Sequence, residues 1–290
     1  EAPKAKPKLR AKPTKLVFWT VYGTLVNVRH GELRYEHDEA AVTAIALDKV
    51  VKEFKMWNSM SRKPGAPSEY MKELFARALT PLKMAGGAGE KFPEIQTERI
   101  WDDVIKKLQQ KEYTFDAVTY GALGDYTKKI AYFYHANLQG AAAYPGAAEA
   151  MTALAARGVV QGLLADGQCF TAGQLQHALK LQDPGFDLDQ ILPPDLRLIS
   201  ADRRARKPSD TLFAAAEELA EARGFAPVEV LHVGSNLARD IAPAKKRGFR
   251  TALFAGDKGS LGADAEHLND PDLKPDTLVT ALPQVLELIE

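Results

Sequence analysis

The sequence predicts a doubly wound, Rossmann-like parallel α/β sheet with an inserted all-helical domain. Three observations predict it. Residues 15–28, KLVFWTVYGTLVNV, open with the apolar run Leu16–Trp19 and meet Gly23, the pattern of a buried parallel strand running into a loop. From Tyr144 onward, short apolar strands alternate with helical stretches, the signature of strand–helix–strand units with right-handed crossovers. Between them, residues 30–140 show helical spacing and little strand signal.

Taken in order, apolar spacing predicts helices over 36–60, 68–84, 94–110 and 115–138. SRKPGAPS and AGGAGEKFP break the pattern. After Tyr144-Pro145-Gly146 come a helix over 146–157, a strand over 158–165 and a helix over 170–181. A strand at 195–200, a helix at 209–223, a strand at 228–234, a helix at 238–247 and a strand at 249–255 follow. A last short strand at 277–280 precedes a terminal helix. The expected organisation is a basic arm over 1–14, a core of 15–29 and 141–290, and a helical cap over 30–140.

The 290 residues suffice for one large α/β domain or a core with an insert. Hydrophobic residues make up 46% and charged residues 26%, ordinary for a globular protein. A formal net charge of zero gives no signal for nucleic-acid binding. The single cysteine, Cys169, excludes an internal disulfide and a cysteine-based zinc site. No apolar run reaches the roughly 18–20 residues of a membrane span. The arm carries Lys4, Lys6, Lys8, Arg10 and Lys12, punctuated by Pro3, Pro7 and Pro13. It reads either as a solvated tail or as the mature end left by a removed targeting peptide, laid on a partner. The second reading implies an organellar, mitochondrial matrix location; otherwise a cytoplasmic one is expected.

Ligands of such a sheet bind outside the carboxyl ends of its strands. The residues there are Thr20-Val21-Tyr22-Gly23-Thr24-Leu25 after the first strand and Ala165-Asp166-Gly167 after the next. Lys207-Pro208 opens a helix, and Gly234-Ser235-Asn236 is followed by Asp240. In this order they resemble the motifs of the haloacid-dehalogenase-like superfamily, over nearly the whole chain from about residue 15 to 288. Tyr144-Pro145-Gly146-Ala147 resembles that family's return from a helical cap of the C1 type.

The resemblance implies a hydrolase whose first-motif Asp attacks the substrate and forms an aspartyl intermediate. Thr20 stands at that position, and a hydroxyl needs a neighbouring base that a carboxylate does not. No histidine is placed beside Thr20 by the sequence; His232, on a core strand, reads as a packing residue. Family phosphatases hold Mg²⁺ with first- and fourth-motif acids, here replaced by Thr20 and Ser235. Asp240 remains, and Asp166 could lend an oxygen, so weak or no Mg²⁺ binding is expected and no other cofactor. Ala165 cannot donate the second-motif hydroxyl bond, a type of contact worth about 3–4 kcal/mol. Tyr22, Ser235, Asn236 and Asp240 partly fit the metal-free dehalogenase branch, which also requires the Asp missing at Thr20. Lys207 is either the motif lysine or half of a salt bridge with Asp240.

Three functions are therefore expected in competition. The first is a catalytically degenerate accessory subunit that meets protein partners through its arm or cap. The second is an active phosphatase or haloacid dehalogenase. The third is a small-molecule binder whose residual cleft is lined by Thr20, Asp166, Lys207 and Asp240; at the matched motif positions Thr20, Tyr22 and Lys207 are the catalytic candidates and Ala165, Asp166, Gly167, Ser235 and Asn236 the substrate-binding ones. Cap aromatics Trp57, Tyr70, Trp101 and Tyr113 could line a pocket, but aromatics at helical spacing more often pack.

Overall fold

The computed structural model describes residue 8 and residues 10–60, 66–84, 89–263 and 270–290. The remainder of the basic arm (residues 1–7 and 9) and parts of the two breaks (61–65 and 85–88) lie outside the described residues. The chain divides into two compact units. One, the core, comprises Glu1–Glu32, Ala141–Gly167 and Thr171–Glu290. The other comprises Leu33–Gly140 and Gln168–Phe170.

The core begins with β1 (Leu16–Trp19), whose four residues are all buried. A strand covered on both faces must be apolar throughout, and LVFW is. Its one polar atom, the Trp19 indole N–H, donates to Gln161 at 3.0 Å, and Gln161 in turn donates to the Met151 carbonyl. The chain leaves the core past β2 (Val26–Asn27).

The second unit is helical: α1 (Ala40–Glu53), α2 (Pro67–Met84), α3 (Thr97–Gln109), α4 (Ala117–Tyr120) and α5 (Leu123–Leu138). Each long helix buries one stripe, as in α3, where Ile100, Trp101, Val104, Ile105 and Leu108 face inward. Phe75, Trp101 and Tyr134 pack ring against ring, with centroids 4.9–5.4 Å apart. Each large side chain so buried contributes about 1.5–3 kcal/mol.

Back in the core, β3 (Ala142–Ala143) pairs antiparallel with β2. Two-residue strands carry no periodicity, so sequence spacing does not mark this ribbon. There follow α6 (Ala147–Ala156), β4 (Val160–Ala165), α7 (Thr171–Lys180), α8 (Leu188–Ile191), β5 (Arg197–Ile199), α9 (Ser200–Arg203) and α10 (Asp210–Glu221). After β6 (Val230–Gly234), a wide π-type turn over Leu237–Ile241 leads into α11 (Ala242–Lys246), β7 (Arg250–Phe254) and β8 (Thr277–Val279).

All six main strands run parallel in the order β5-β4-β1-β6-β7-β8. This is the doubly wound sheet the alternation predicts. The order reverses direction between β1 and β6, the place where such sheets open a crevice.

The expected terminal helix is of the 3₁₀ type, over Leu282–Leu288. One expectation is corrected at the other end. The last residues of the expected arm belong to the core. Lys12 exchanges backbone hydrogen bonds with Leu288 and Glu290, and Thr14 is buried with its hydroxyl against Arg250. These contacts satisfy backbone groups that a solvated tail would leave to water. Among the described residues, no helix is long and apolar enough to cross a membrane.

Candidate functional site

Thr20 follows β1 directly, and its amide still donates to Val233 of β6 at 2.9 Å. The hydroxyl is thereby fixed at the switch point of the sheet. Lys207 Nζ donates to Thr20 Oγ1 at 2.8 Å, and Thr20 Oγ1 donates to Asp240 Oδ1 at 3.1 Å. Lys207 also pairs with Asp240 Oδ1; the two side chains are 2% and 3% exposed. The other carboxylate oxygen, Oδ2, accepts the backbone N–H of Ser235 at 3.0 Å and of Asn236 at 2.9 Å. Asp240 thus receives four hydrogen bonds, all from the protein itself.

Burial is the largest single influence and by itself would raise the Asp240 pKa, but the Lys207 ammonium, with a contribution from His232, outweighs it and holds the carboxyl far below its usual range. Burial also pushes His232 down, so its imidazole is neutral at neutral pH. The charge opposite Asp240 is therefore that of lysine.

The placement of His232 corrects the sequence expectation. It is packed, as expected, but its Nε2 lies 3.5 Å from Thr20 Oγ1 and 3.9 Å from Asp240 Oδ1. The β1–β6 register sets Phe18 opposite His232, which brings His232 under the end of β1. Sequence reasoning missed it because the order of β1 and β6 within the sheet is not written in local spacing.

Glycines let the segments close. Gly23, at φ +82°, lies where a Cβ would stand 2.6 Å from the Ser235 hydroxyl oxygen. At Gly234 a Cβ would sit 2.5 Å from the side chain of Asp240. Ser235 itself is buried.

The remaining motif residues face other tasks. The Tyr22 hydroxyl donates to Gln174 Oε1 at 2.7 Å and meets Thr171 Oγ1 at 3.1 Å. Ala165 ends β4 with no polar side-chain atom. Gly167 exchanges backbone hydrogen bonds with the Ser200 hydroxyl. The Asn236 side chain accepts from the Arg239 amide and caps the following turn. Asp166 accepts the Lys207 amide at 2.7 Å and pairs with Arg239, whose guanidinium also donates to Glu32 at 2.5 Å.

The residues present do not fit the Mg²⁺ of the family's phosphatases. Thr20 and Ser235 offer no carboxylate, and both oxygens of Asp240 are occupied by protein donors, whereas Mg²⁺ takes carboxylate and water oxygens in octahedral array. Among the described residues, no group of three or more His, Cys, Asp or Glu side chains is placed to hold a metal ion.

Of the cap aromatics, Trp101 and Tyr113 are buried packing residues and Tyr70 lies under the Lys111 ammonium, while Trp57 is 51% exposed. A cleft of about 470 Å³ lined by Gln176, Lys180, Phe186, Asp187, Leu188 and Arg197 contains none of the motif residues.

No protein-family model matches the chain, and no curated protein matches it. Solved structures do. The 2-haloacid dehalogenase from Pseudomonas syringae pv. Tomato DC3000 is similar at a TM-score of 0.53 and 16% identity, over 94% of this chain and 97% of that one. The L-2-haloacid dehalogenase from Xanthobacter autotrophicus is similar at 0.45 and 20% identity, over 94% and 96%. The first of these likenesses speaks for the fold and, at 16% identity, leaves the chemistry open. With the strand order and the helical unit described above, the chain has the haloacid-dehalogenase-like fold; Thr20, Ala165 and Ser235 stand at the ends of β1, β4 and β6, Lys207 lies just before α10, and Asp240 lies in the turn before α11.

Proposed function

We propose that this chain does not run the aspartyl chemistry its fold is built for and works instead as an interaction subunit. One observation supports the absence of that chemistry above the others. The Thr20 hydroxyl donates to Asp240 and accepts from Lys207, inside a buried and self-saturated ion pair. A hydroxyl nucleophile must hand its proton to a base. Asp240 is a poor base because Lys207 holds its pKa so low. Lys207 has its charge matched by Asp240 and offers no lone pair. Ala165 adds no donor for a developing charge.

A second reading rests on His232. Its neutral imidazole, 3.5 Å from Thr20 Oγ1, is the uncharged base beside that hydroxyl among the described residues. On this reading the chain is a hydrolase with a threonine nucleophile.

Assays on aryl phosphates with Mg²⁺ and on 2-haloacids without it separate the two. The interaction-subunit reading expects no turnover above buffer in either. Turnover abolished by both Thr20→Val and His232→Asn sinks it and establishes the hydrolase. Native purification bears on the partner: the reading expects the chain in an assembly, and a chain isolated alone at its monomer mass argues against it.

A further inference from the structure

The cleft beside Lys180 and Arg197 lies wholly within the core unit, and its volume is about 470 Å³. That falls in the range of small-molecule sites, roughly 300–1,000 Å³. One wall is a face of α7, where Gly173, Gln176 and Lys180 follow one another at helical spacing. A second wall is the segment 185–189, and the Gln176 side chain holds it in place. The amide nitrogen of Gln176 donates to the Phe186 carbonyl at 2.9 Å, and its amide oxygen accepts the Leu188 N–H at 2.7 Å. Arg197 lines the cleft from β5, with Nε on the Leu192 carbonyl at 2.8 Å and Nη2 on Asp189 at 2.5 Å. These contacts form the walls without a ligand.

Four charged side chains line this space. Arg197 and Asp189 pair with each other. Lys180 and Asp187 make no ion pair with each other or with any other described residue. Asp187 caps α8, its Oδ1 accepting the Asp189 and Gln190 amides at 3.0 and 3.4 Å, and its Oδ2 has no donor among the described residues. A lysine in a last turn and an aspartate at an N-cap suit their helices and by themselves call for no ligand. Gly173 is different. It lies inside α7, where glycine is the least favourable residue after proline, and a Cβ there meets no atom within 4 Å. Neither close packing nor backbone strain asks for a glycine at this position. Its effect is to leave the cleft open along the α7 wall.

We propose that this cleft binds a small zwitterion, an amino acid or dipeptide whose carboxylate meets Lys180 and whose ammonium meets Asp187. An unmatched cation and an unmatched anion in one preformed cleft complement a ligand that carries both charges. A simple anion or cation leaves one of the two unmatched and is disfavoured. The cleft contains none of the motif residues, so this goes beyond the interaction reading and does not depend on it.

Nuclear magnetic resonance of the isotope-labelled full chain tests it, with leucine, γ-aminobutyrate and alanyl-leucine each titrated to millimolar concentration. At least one should shift the amides of Gly185 and Leu188 saturably; the three separate an α-amino acid, a wider charge spacing and a dipeptide. The N-acetyl and methyl ester forms of the compound that binds each lack one charge and should bind about tenfold more weakly. Lys180→Gln and Asp187→Asn, the second of which keeps the cap, should each weaken binding to a similar degree. Gly173→Leu fills the cleft from an unencumbered helix position and should abolish the shifts in a chain at least as stable as the wild type. No saturable shift with any of the three compounds, equal affinity for the acetylated and free forms, or wild-type affinity in Gly173→Leu overturns the proposal.

Discussion

His232 places its Nε2 3.5 Å from the hydroxyl oxygen of Thr20, beneath the end of the neighbouring strand and wholly shut from solvent. Its burial has a consequence for acid stability. A second buried histidine, His135 in the helical unit, is ringed by Tyr35, Tyr134 and Phe170, and its Nδ1 has no hydrogen-bond partner.

Burial lowers both pKa values, that of His135 to about 3. The folded protein therefore binds fewer protons than the unfolded chain below the ordinary histidine pKa of about 6.5. Stability from each histidine is fully present above that pH and is lost as pH falls, by about 1.4 kcal/mol per pH unit per histidine. For His135 the window runs from about 6.5 down to about 3. Urea unfolding at pH 7.5 and 5.0 checks this. The midpoint should fall clearly at the lower pH, and less so in His135→Phe. A midpoint that does not move contradicts it.

The Lys207–Asp240 pair carries the second prediction. Removing one member strands a buried charge, and Lys207→Met or Asp240→Asn should each cost about 3–5 kcal/mol. The double variant Lys207→Met/Asp240→Asn should cost clearly less than the two single effects together, because neither charge remains. Denaturant titration of the four proteins measures this coupling. Simple additivity would show that the two side chains act independently.

A third prediction concerns metal. Thr20→Asp puts a carboxylate against Asp240 and should destabilise the chain by about 1–2 kcal/mol, the ordinary cost of a single change with a definite cause. In Thr20→Asp/Ser235→Asp, added Mg²⁺ should raise the melting temperature, since two hard ligands are restored. In the wild type it should not. A wild-type melting temperature that rises with Mg²⁺ would mean the closed ion pair opens readily to a cation.

The cap aromatics give a fourth. Trp101 is completely buried against Phe75 and Tyr134, so Trp101→Ala should cost about 3–5 kcal/mol. Trp57 is half exposed, and Trp57→Ala should change stability by no more than about 0.5 kcal/mol. Unfolding followed by circular dichroism at helix wavelengths distinguishes them.

Much of this fold is legible in the sequence. The runs LVFW, VQGLLA and VLHVG are mostly apolar because both sheet faces are covered, with Gln161 and His232 as the buried polar exceptions, so strand positions could be read from the sequence. The strand-end order of Thr20, Ala165, Lys207, Ser235 and Asp240 could be read as well, because each follows or opens a recognisable element. What could not be read depends on pairing across the sheet. His232 reaches Thr20 only because β1 and β6 are neighbours in register. Arg239 reaches Glu32 across a separation of 207 residues, and nothing local to either marks the contact. Lys12 meets the far end of the chain for the same reason.

The Lys207–Asp240 pair also constrains how this sequence can change. Single substitutions at either position pass through a protein with an uncompensated buried charge, while only a paired exchange avoids that barrier. Two residues locked in this way persist through mutational drift for the sake of the fold. Their presence in a chain of this architecture is weak testimony for turnover, and Thr20, Ala165 and Ser235, which bring no buried charge of their own, are the better witnesses to what the site still does.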